Sequence, residues 1–329
     1  MEELIRKLTA AYGPSGREGE VADLIESLLK GKVDSIRRDA LGNLICEKKG
    51  TAKDGRRIMF SAHMDQIGLI VTHAEKEGYL RVSNVGGIFI ANSRMRHVRF
   101  QNGVHGVLVE QPLKPGETSS MRTYYIDIGA NSADEALRKV QLGDVAIYAE
   151  ECFTLGERRL AAPAMDDRCA CALLVSLMQA LPPCKDTVIA VFSTQEEVGC
   201  RGGKTAAYSV EPDVGIALDV TLCGDQPEDR KLAINLGEGP AVKIMDMLSI
   251  SNPELVQALL AAAKRAKIPC QREVLPFGGT DAGAMQLTRG GMPVCTLSIP
   301  SRNVHSSCEI VDLNDLENAQ KLLLAYLKG

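Results

Sequence analysis

The sequence predicts an α/β protein: a three-layer α/β/α domain around a central mixed sheet, interrupted by a small β-rich insertion. Three observations carry that prediction. Short apolar, β-branched runs alternate with helix-period segments over residues 1–67 and again over 161–329. Between them, over 68–160, the runs shorten and are separated by glycine and polar turns. Finally, the stretch from Thr187 to Cys200 opens as an apolar run, the mark of a strand buried on both faces, and ends in the adjacent carboxylates Glu196 and Glu197.

The first two elements are helices. Leu4, Ile5, Leu8 and Ala11 have helical spacing, Tyr12-Gly13-Pro14-Ser15-Gly16 breaks it, and Val21, Leu24, Ile25, Leu28 and Leu29 resume it. Ser35 to Glu47 reads as two strands around a turn at Gly42-Asn43, and the strand Arg57 to Ala62 delivers His63-Met64-Asp65. In the insertion, Leu69-Ile70-Val71, Tyr79 to Val82, His97 to Phe100 and Val107 to Val109 are strand runs. One helix is expected there, from a Ser132 N-cap with Glu135 completing a capping box. After Ala161 come a helix through Ala170–Met178, the Thr187 strand, a strand over Val214–Val220 and a helix from Asn252-Pro253 to Lys267. The strand Pro293–Pro300 precedes His305, and a helix over Asn314–Leu327 closes the chain.

Composition narrows the function. With 329 residues and a formal net charge of -4, the chain has ample material for a core and no general attraction for nucleic acid or an anionic membrane. No apolar run spans a bilayer and no signal peptide opens the chain, so a soluble, cytoplasmic protein is expected. The ten cysteines include no CxxC pair, and most sit in apolar segments, as reduced cytosolic thiols do.

The chemistry lies where strands end. In open α/β sheets, ligands bind at the carboxyl edge. Within a strand Glu196 and Glu197 would point to opposite faces, but past its end, where the chain turns, both can serve one site. Such a pair suits one carboxylate holding a metal and its neighbour moving protons. His63 and Asp65, Asp166-Asp167, Asp219 and His305 are expected at the same edge. Each has a structural alternative: Asp219 as a turn residue, His63 as a satisfied polar group, Asp166-Asp167 as helix cap. The two imidazoles with three of the carboxylates form a mixed N/O set suited to zinc, cobalt or manganese, and about three negative charges nearly balance the four of two divalent ions per subunit.

These segments resemble the glutamyl and deblocking aminopeptidases, a family of dinuclear metallopeptidases. The motifs are Ala62-His63-Met64-Asp65-Gln66-Ile67-Gly68, Met165-Asp166-Asp167-Arg168, Gln195-Glu196-Glu197-Val198-Gly199, Ala217-Leu218-Asp219-Val220 and Ile299-Pro300-Ser301-Arg302-Asn303-Val304-His305-Ser306. Gly13-Pro14-Ser15-Gly16, Ile126-Asp127-Ile128-Gly129-Ala130 and Gly278-Gly279-Thr280-Asp281-Ala282-Gly283 extend the likeness nearly end to end.

The resemblance implies a zinc-peptidase-like catalytic domain with a PDZ-like dimerisation domain inserted, and homo-oligomers that range from dimers to tetrahedral dodecamers. It implies that His63, Asp166 and Asp219 hold one metal, that Asp166, Glu197 and His305 hold the other, and that the peptide after Asp166 is cis. Glu196 would be general base and acid. Asp65 would accept the free N–H of His63. The substrates would be short peptides, trimmed from the N-terminus. The chain departs from the family at Gln66, where a glutamate is usual, and at Ala170, where a glycine is usual. Gly86-Gly87-Ile88 lacks the usual acid-proline, and Val109–Thr123 is shorter than usual.

Two rival functions are weaker. A glycoside hydrolase, glucanase-like, would also use paired acids, but it leaves His63, Asp219 and His305 without a role, and the chain has no tryptophan for a sugar platform. A non-catalytic metal-binding scaffold would be favoured by loss of Glu196 or a ligand, and all are in place.

Overall fold

The computed structural model describes residues 1–227 and 232–328. The chain opens with helices α1 (Glu2–Ala10) and α2 (Gly19–Leu29), a hairpin of β1 (Ser35–Arg38) and β2 (Leu44–Lys48), and β3 (Arg57–His63). Next come β4 (Gly68–Ala74), β5 (Leu80–Val85), β6 (Arg96–Phe100), β7 (His105–Glu110), β8 (Tyr124–Asp127), α3 (Ala133–Lys139) and β9 (Val145–Tyr148). Then follow β10 (Phe153–Leu155), β11 (Arg159–Ala162), α4 (Met165–Ala180), β12 (Thr187–Ser193), α5 (Arg201–Val210) and β13 (Val214–Leu222). The last elements are β14 (Ala241–Met245), α6 (Pro253–Ala266), β15 (Gln271–Val274), α7 (Asp281–Gln286), β16 (Val294–Arg302), β17 (Glu309–Asp312) and α8 (Leu313–Lys328).

The large mixed sheet runs β1-β2-β12-β3-β13-β16-β17-β11-β10, with β14 on β16 and β15 on β14. Its centre, β12-β3-β13-β16, is parallel. Alternation along each strand makes the layers. Ile58, Phe60 and Ala62 join Val188, Ala190 and Phe192 in a core closed by α1, α2, α4, α6 and α8. Met59, Ile189, Val191 and Ala217 face the opposite way, against α5 and α7. Helix α4 is central: its side chains from Met165 to Val175, Ala170 included, are all buried.

The intervening strands close into a barrel, β4-β5-β8-β7-β6-β9, around its own core of Leu69, Leu80, Val98, Phe100, Leu108, Tyr124 and Ile126. The Ser132 cap of α3 is present, its hydroxyl accepting the Glu135 N–H at 3.2 Å. The barrel is anchored from α1 and the loop after it: the Tyr12 hydroxyl donates to the Val145 carbonyl and Arg99 to that of Ala10.

The alternating pattern anticipated the central strands and the long amphipathic helices. The short elements β14, β15, β17 and α7 carry too few residues for a clear period, and packing against the sheet creates them, while Gly202 and Gly203 in its first turn mask the ten-residue α5. Helix α4 also begins at Met165, five residues before the apolar run at Ala170 announced it. No helix among the described residues is long and apolar enough to cross a membrane.

Candidate active site

Strand register brings the site residues level. In the parallel pairing, Ser193 lies beside His63 and Ala217 beside Ser61, so Asp219, two residues on, reaches the height of His63. Glu196 and Glu197 follow β12 through a turn opened by Gln195 at φ 56°. Asp166 and Asp167 enter at the start of α4, where Ala164 has φ 59° and the Asp166–Asp167 peptide is cis. His305 follows β16 with φ 62°. Several non-glycine residues in the left-handed region thus cluster at this edge, as at many functional sites.

His63 Nε2 lies 3.0 Å from Asp166 Oδ1, and His305 Nε2 lies 3.3 Å from Asp166 Oδ2 and 3.1 Å from Glu197 Oε2. Asp166 therefore sits between the two imidazoles. Asp219 Oδ1 and Glu196 Oε2 are each 4.0 Å from His63 Nε2. All the predicted site residues converge. The other ring nitrogen of His63 faces Asp65, but its nearer contact is the Asp65 main-chain oxygen at 3.0 Å, with Oδ1 at 3.4 Å. The Asp65 carboxylate instead accepts the N–H groups of Glu196 and Glu197 at 2.9 and 3.2 Å and the Ser15 hydroxyl at 2.6 Å. It thus positions the acid pair directly.

Three further residues complete the constellation. Glu309 accepts the main-chain N–H groups of Asp166 and His305. Asp281 accepts the hydroxyls of Ser61 and Ser193, both at 2.6 Å. Arg168, fully buried, donates to the carbonyls of Leu8, Ala11, Gly13 and Met64 and to Gln66 Oε1, tying the N-terminal loop to the segment after His63. Arg168 and Asp281 lay inside recognisable motifs without an evident task. Glu309 sits on a four-residue strand with no periodicity to mark it.

The inserted barrel reaches this edge through Gly86 and Gly87. A Cβ on Gly87 would lie 3.0 Å from His305 Nδ1, and one on Gly86 3.1 Å from Glu197 Oε2, so side chains there would crowd the site. Phe89 stands nearby, its ring centroid 6.5 Å from that of His305. The residues open onto a cavity of about 430 Å³ that is also lined by the apolar side chains of Val220, Leu222, Leu248, Leu275 and Phe277.

Burial dominates the electrostatics. It pushes Glu196, Glu197, Asp167 and Asp219 above the usual carboxylate range, with neighbouring carboxylates adding to the rise. Against its burial, His305 is raised to about 12 by Glu197 and Asp166. His63 is likewise raised despite burial, by Asp166 and Asp65. Against burial, the two imidazoles hold Asp166 low.

The donor set fits cations. Five carboxylates face two imidazoles, and Glu197 Oε1 and Asp167 Oδ1 are buried without hydrogen-bond partners. Ligand atoms within 4.8 Å of one another include His63, Asp166 and Glu197, and also His63, Asp167 and Asp219. The second grouping brings Asp167, beside Asp166, within reach of a cation.

A buried nitrogen-and-oxygen site at the carboxyl edge of an α/β sheet, its charges uncompensated, marks a metal-dependent hydrolase. The chain belongs to the M42 glutamyl aminopeptidase family, which it matches over residues 42–322, and it is a metal-dependent aminopeptidase. It is 36% identical over 340 residues to the lysyl aminopeptidase of Pyrococcus furiosus, covering 99% of this chain and 96% of that relative. The structure is similar to aminopeptidase APDkam598 from Desulfurococcus kamchatkensis (TM-score 0.95, 38% identity, 99% and 94% coverage). It is also similar to the TET1 peptidase of Pyrococcus horikoshii, which can assemble into a tetrahedron or a large octahedral shell (TM-score 0.89, 32% identity, 99% coverage of both chains).

Proposed function

We propose that the protein removes single residues from the N-termini of short peptides, using two divalent ions per subunit and Glu196 as the proton carrier. His63, Asp166 and Asp219 would hold one ion, and Asp166, Glu197 and His305 the other, with Asp166 shared. When bound, the ions supply Lewis acidity and an acidified water. Zinc or cobalt suits the mixed ligands best, with manganese next.

The observation that carries this reading is the setting of Glu196. Its main chain is held by Asp65, its carboxylate faces the cavity, and its Oε2 lies 4.0 Å from His63 Nε2. Raised by burial, it is suited to accept the proton of the attacking water and pass it to the departing amine. Asp65 orients both the acid pair and His63. The excess of carboxylates favours a free α-ammonium over a blocked terminus, and the apolar part of the cavity lining accommodates the first side chain.

Likeness to TET1 peptidase structures, one a dodecamer and one a tetrahedron or octahedral shell, supports a large homo-oligomer. In this reading its units are dimers and the barrel is a PDZ-like dimerisation module. Ten free cysteines support a reducing, cytoplasmic setting.

The test offers amino-acid p-nitroanilides, N-blocked peptides and a soluble glucan to the protein before and after chelation and zinc or cobalt reloading. Turnover of free-amino substrates only, lost on chelation and restored by metal, is expected. Glucan cleavage without peptide turnover would overturn the reading.

A further inference from the structure

The carboxylate of Glu196 stands between two clusters. Its Oε2 faces His63, while its Oε1 lies 3.0 Å from the Cys200 thiol on the other side. Cys200 occupies the turn before α5 with φ 51°, borders the cavity and is 5% exposed. The third member is Asp281. One of its oxygens is saturated by Ser61 and Ser193, whereas Oδ1 is buried without a hydrogen-bond partner. Ligand atoms of Glu196, Cys200 and Asp281 all lie within 4.8 Å of one another. A thiol and two carboxylates, one with an unsatisfied buried oxygen, form a donor set distinct from the nitrogen-and-oxygen set around Asp166.

We propose that Glu196, Cys200 and Asp281 form a third, inhibitory metal site selective for thiophilic divalent cations such as zinc or cadmium. On binding, Cys200 releases its thiol proton to solvent and becomes a thiolate ligand. The sulfur sets the selectivity: manganese and magnesium, which prefer oxygen, compete poorly there. Glu196 then carries a cation where it must carry a proton, so excess zinc stops turnover while the catalytic ions stay in place. The inhibition rests on Glu196 being the proton carrier; the binding does not.

The test uses the zinc-loaded enzyme and its Cys200→Ser and Cys200→Ala variants. Both fit a position that already bears a side chain at positive φ, and zinc inhibition of each is read relative to its own turnover at catalytic metal loading. Cadmium titration of the parent enzyme is expected to give an ultraviolet thiolate-to-cadmium charge-transfer band, saturating at one equivalent, that both variants lack. Excess zinc is expected to inhibit the parent at about tenfold lower concentration than either variant, whereas excess manganese leaves all three unaffected. An equal band in parent and variants would overturn the site. A band lost in the variants with identical zinc inhibition would overturn its inhibitory role. Absent peptide turnover in all three would count against the proposed function, and the cadmium band would still decide whether the site exists.

Discussion

Glu309 accepts the Asp166 main-chain N–H through one carboxylate oxygen at 2.8 Å and the His305 main-chain N–H through the other at 2.7 Å. One buried side chain therefore sets the positions of two proposed metal ligands that lie far apart in sequence. Burial and the nearby Asp166 push it up to about 8, while the two N–H groups favour its ionised form. Glu309→Ala should lower metal affinity roughly ten- to a hundredfold, as loss of an outer-sphere partner commonly does. Glu309→Gln should rescue only partly, because its amide NH₂ must face one of the two donors. Equilibrium dialysis against zinc measures both.

Glu196→Gln should keep its full metal content and lose turnover by roughly a hundredfold to ten-thousandfold, the usual contribution of a general base. His305→Ala should instead lose a metal ion. Metal analysis alongside p-nitroanilide kinetics separates the two effects. Full activity in Glu196→Gln would remove the base assignment.

Metal uptake should release protons. Against their burial, Glu197 and Asp166 hold His305 up to about 12 and Asp166 and Asp65 raise His63, so without metal the pairing favours the imidazolium form of both rings. A ligating imidazole must be neutral. Because these folded values lie above the ordinary histidine value, the pairing stabilises the metal-free protein fully below about pH 6.5, and this contribution is lost as pH rises through the folded values. Apparent metal affinity should accordingly rise with pH. Calorimetry in buffers of different ionisation enthalpy counts the protons released.

Arg168 and Gln66 offer a stability test. Burial pushes Arg168 down to about 10, and its side-chain partner Gln66 is neutral. Gln66→Glu would place a carboxylate against the buried guanidinium and should stabilise the fold by about 1 kcal/mol or more. Arg168→Met would take the side-chain donor from the carbonyls of Ala11 and Met64 and one of two donors from those of Leu8 and Gly13, and should cost roughly 3–5 kcal/mol. Thermal denaturation of the metal-loaded protein reads both, with a higher midpoint expected for Gln66→Glu.

Much of this was legible in one dimension. A strand buried on both faces announces itself as an apolar run, so the strands ending near His63, Glu196, Asp219 and His305 could be located, and with them the chemistry at their ends. Asp65 was legible as a partner of the site, but its main task was not. Only the fold shows its carboxylate beneath the Glu196 and Glu197 amides, with the main-chain oxygen nearer to His63.

The sequence by itself determined the α/β class, the β-rich insertion and the order of the metal-competent side chains, because strand and helix periods and residue chemistry are local properties. Only the tertiary structure decided that Glu309 links Asp166 to His305, that Arg168 gathers four distant carbonyls, and that Glu196 divides its two oxygens between His63 and Cys200. The reason is physical. Those contacts join segments that sequence separates by up to about 160 positions, and a buried polar group acquires its partner only when packing closes around it.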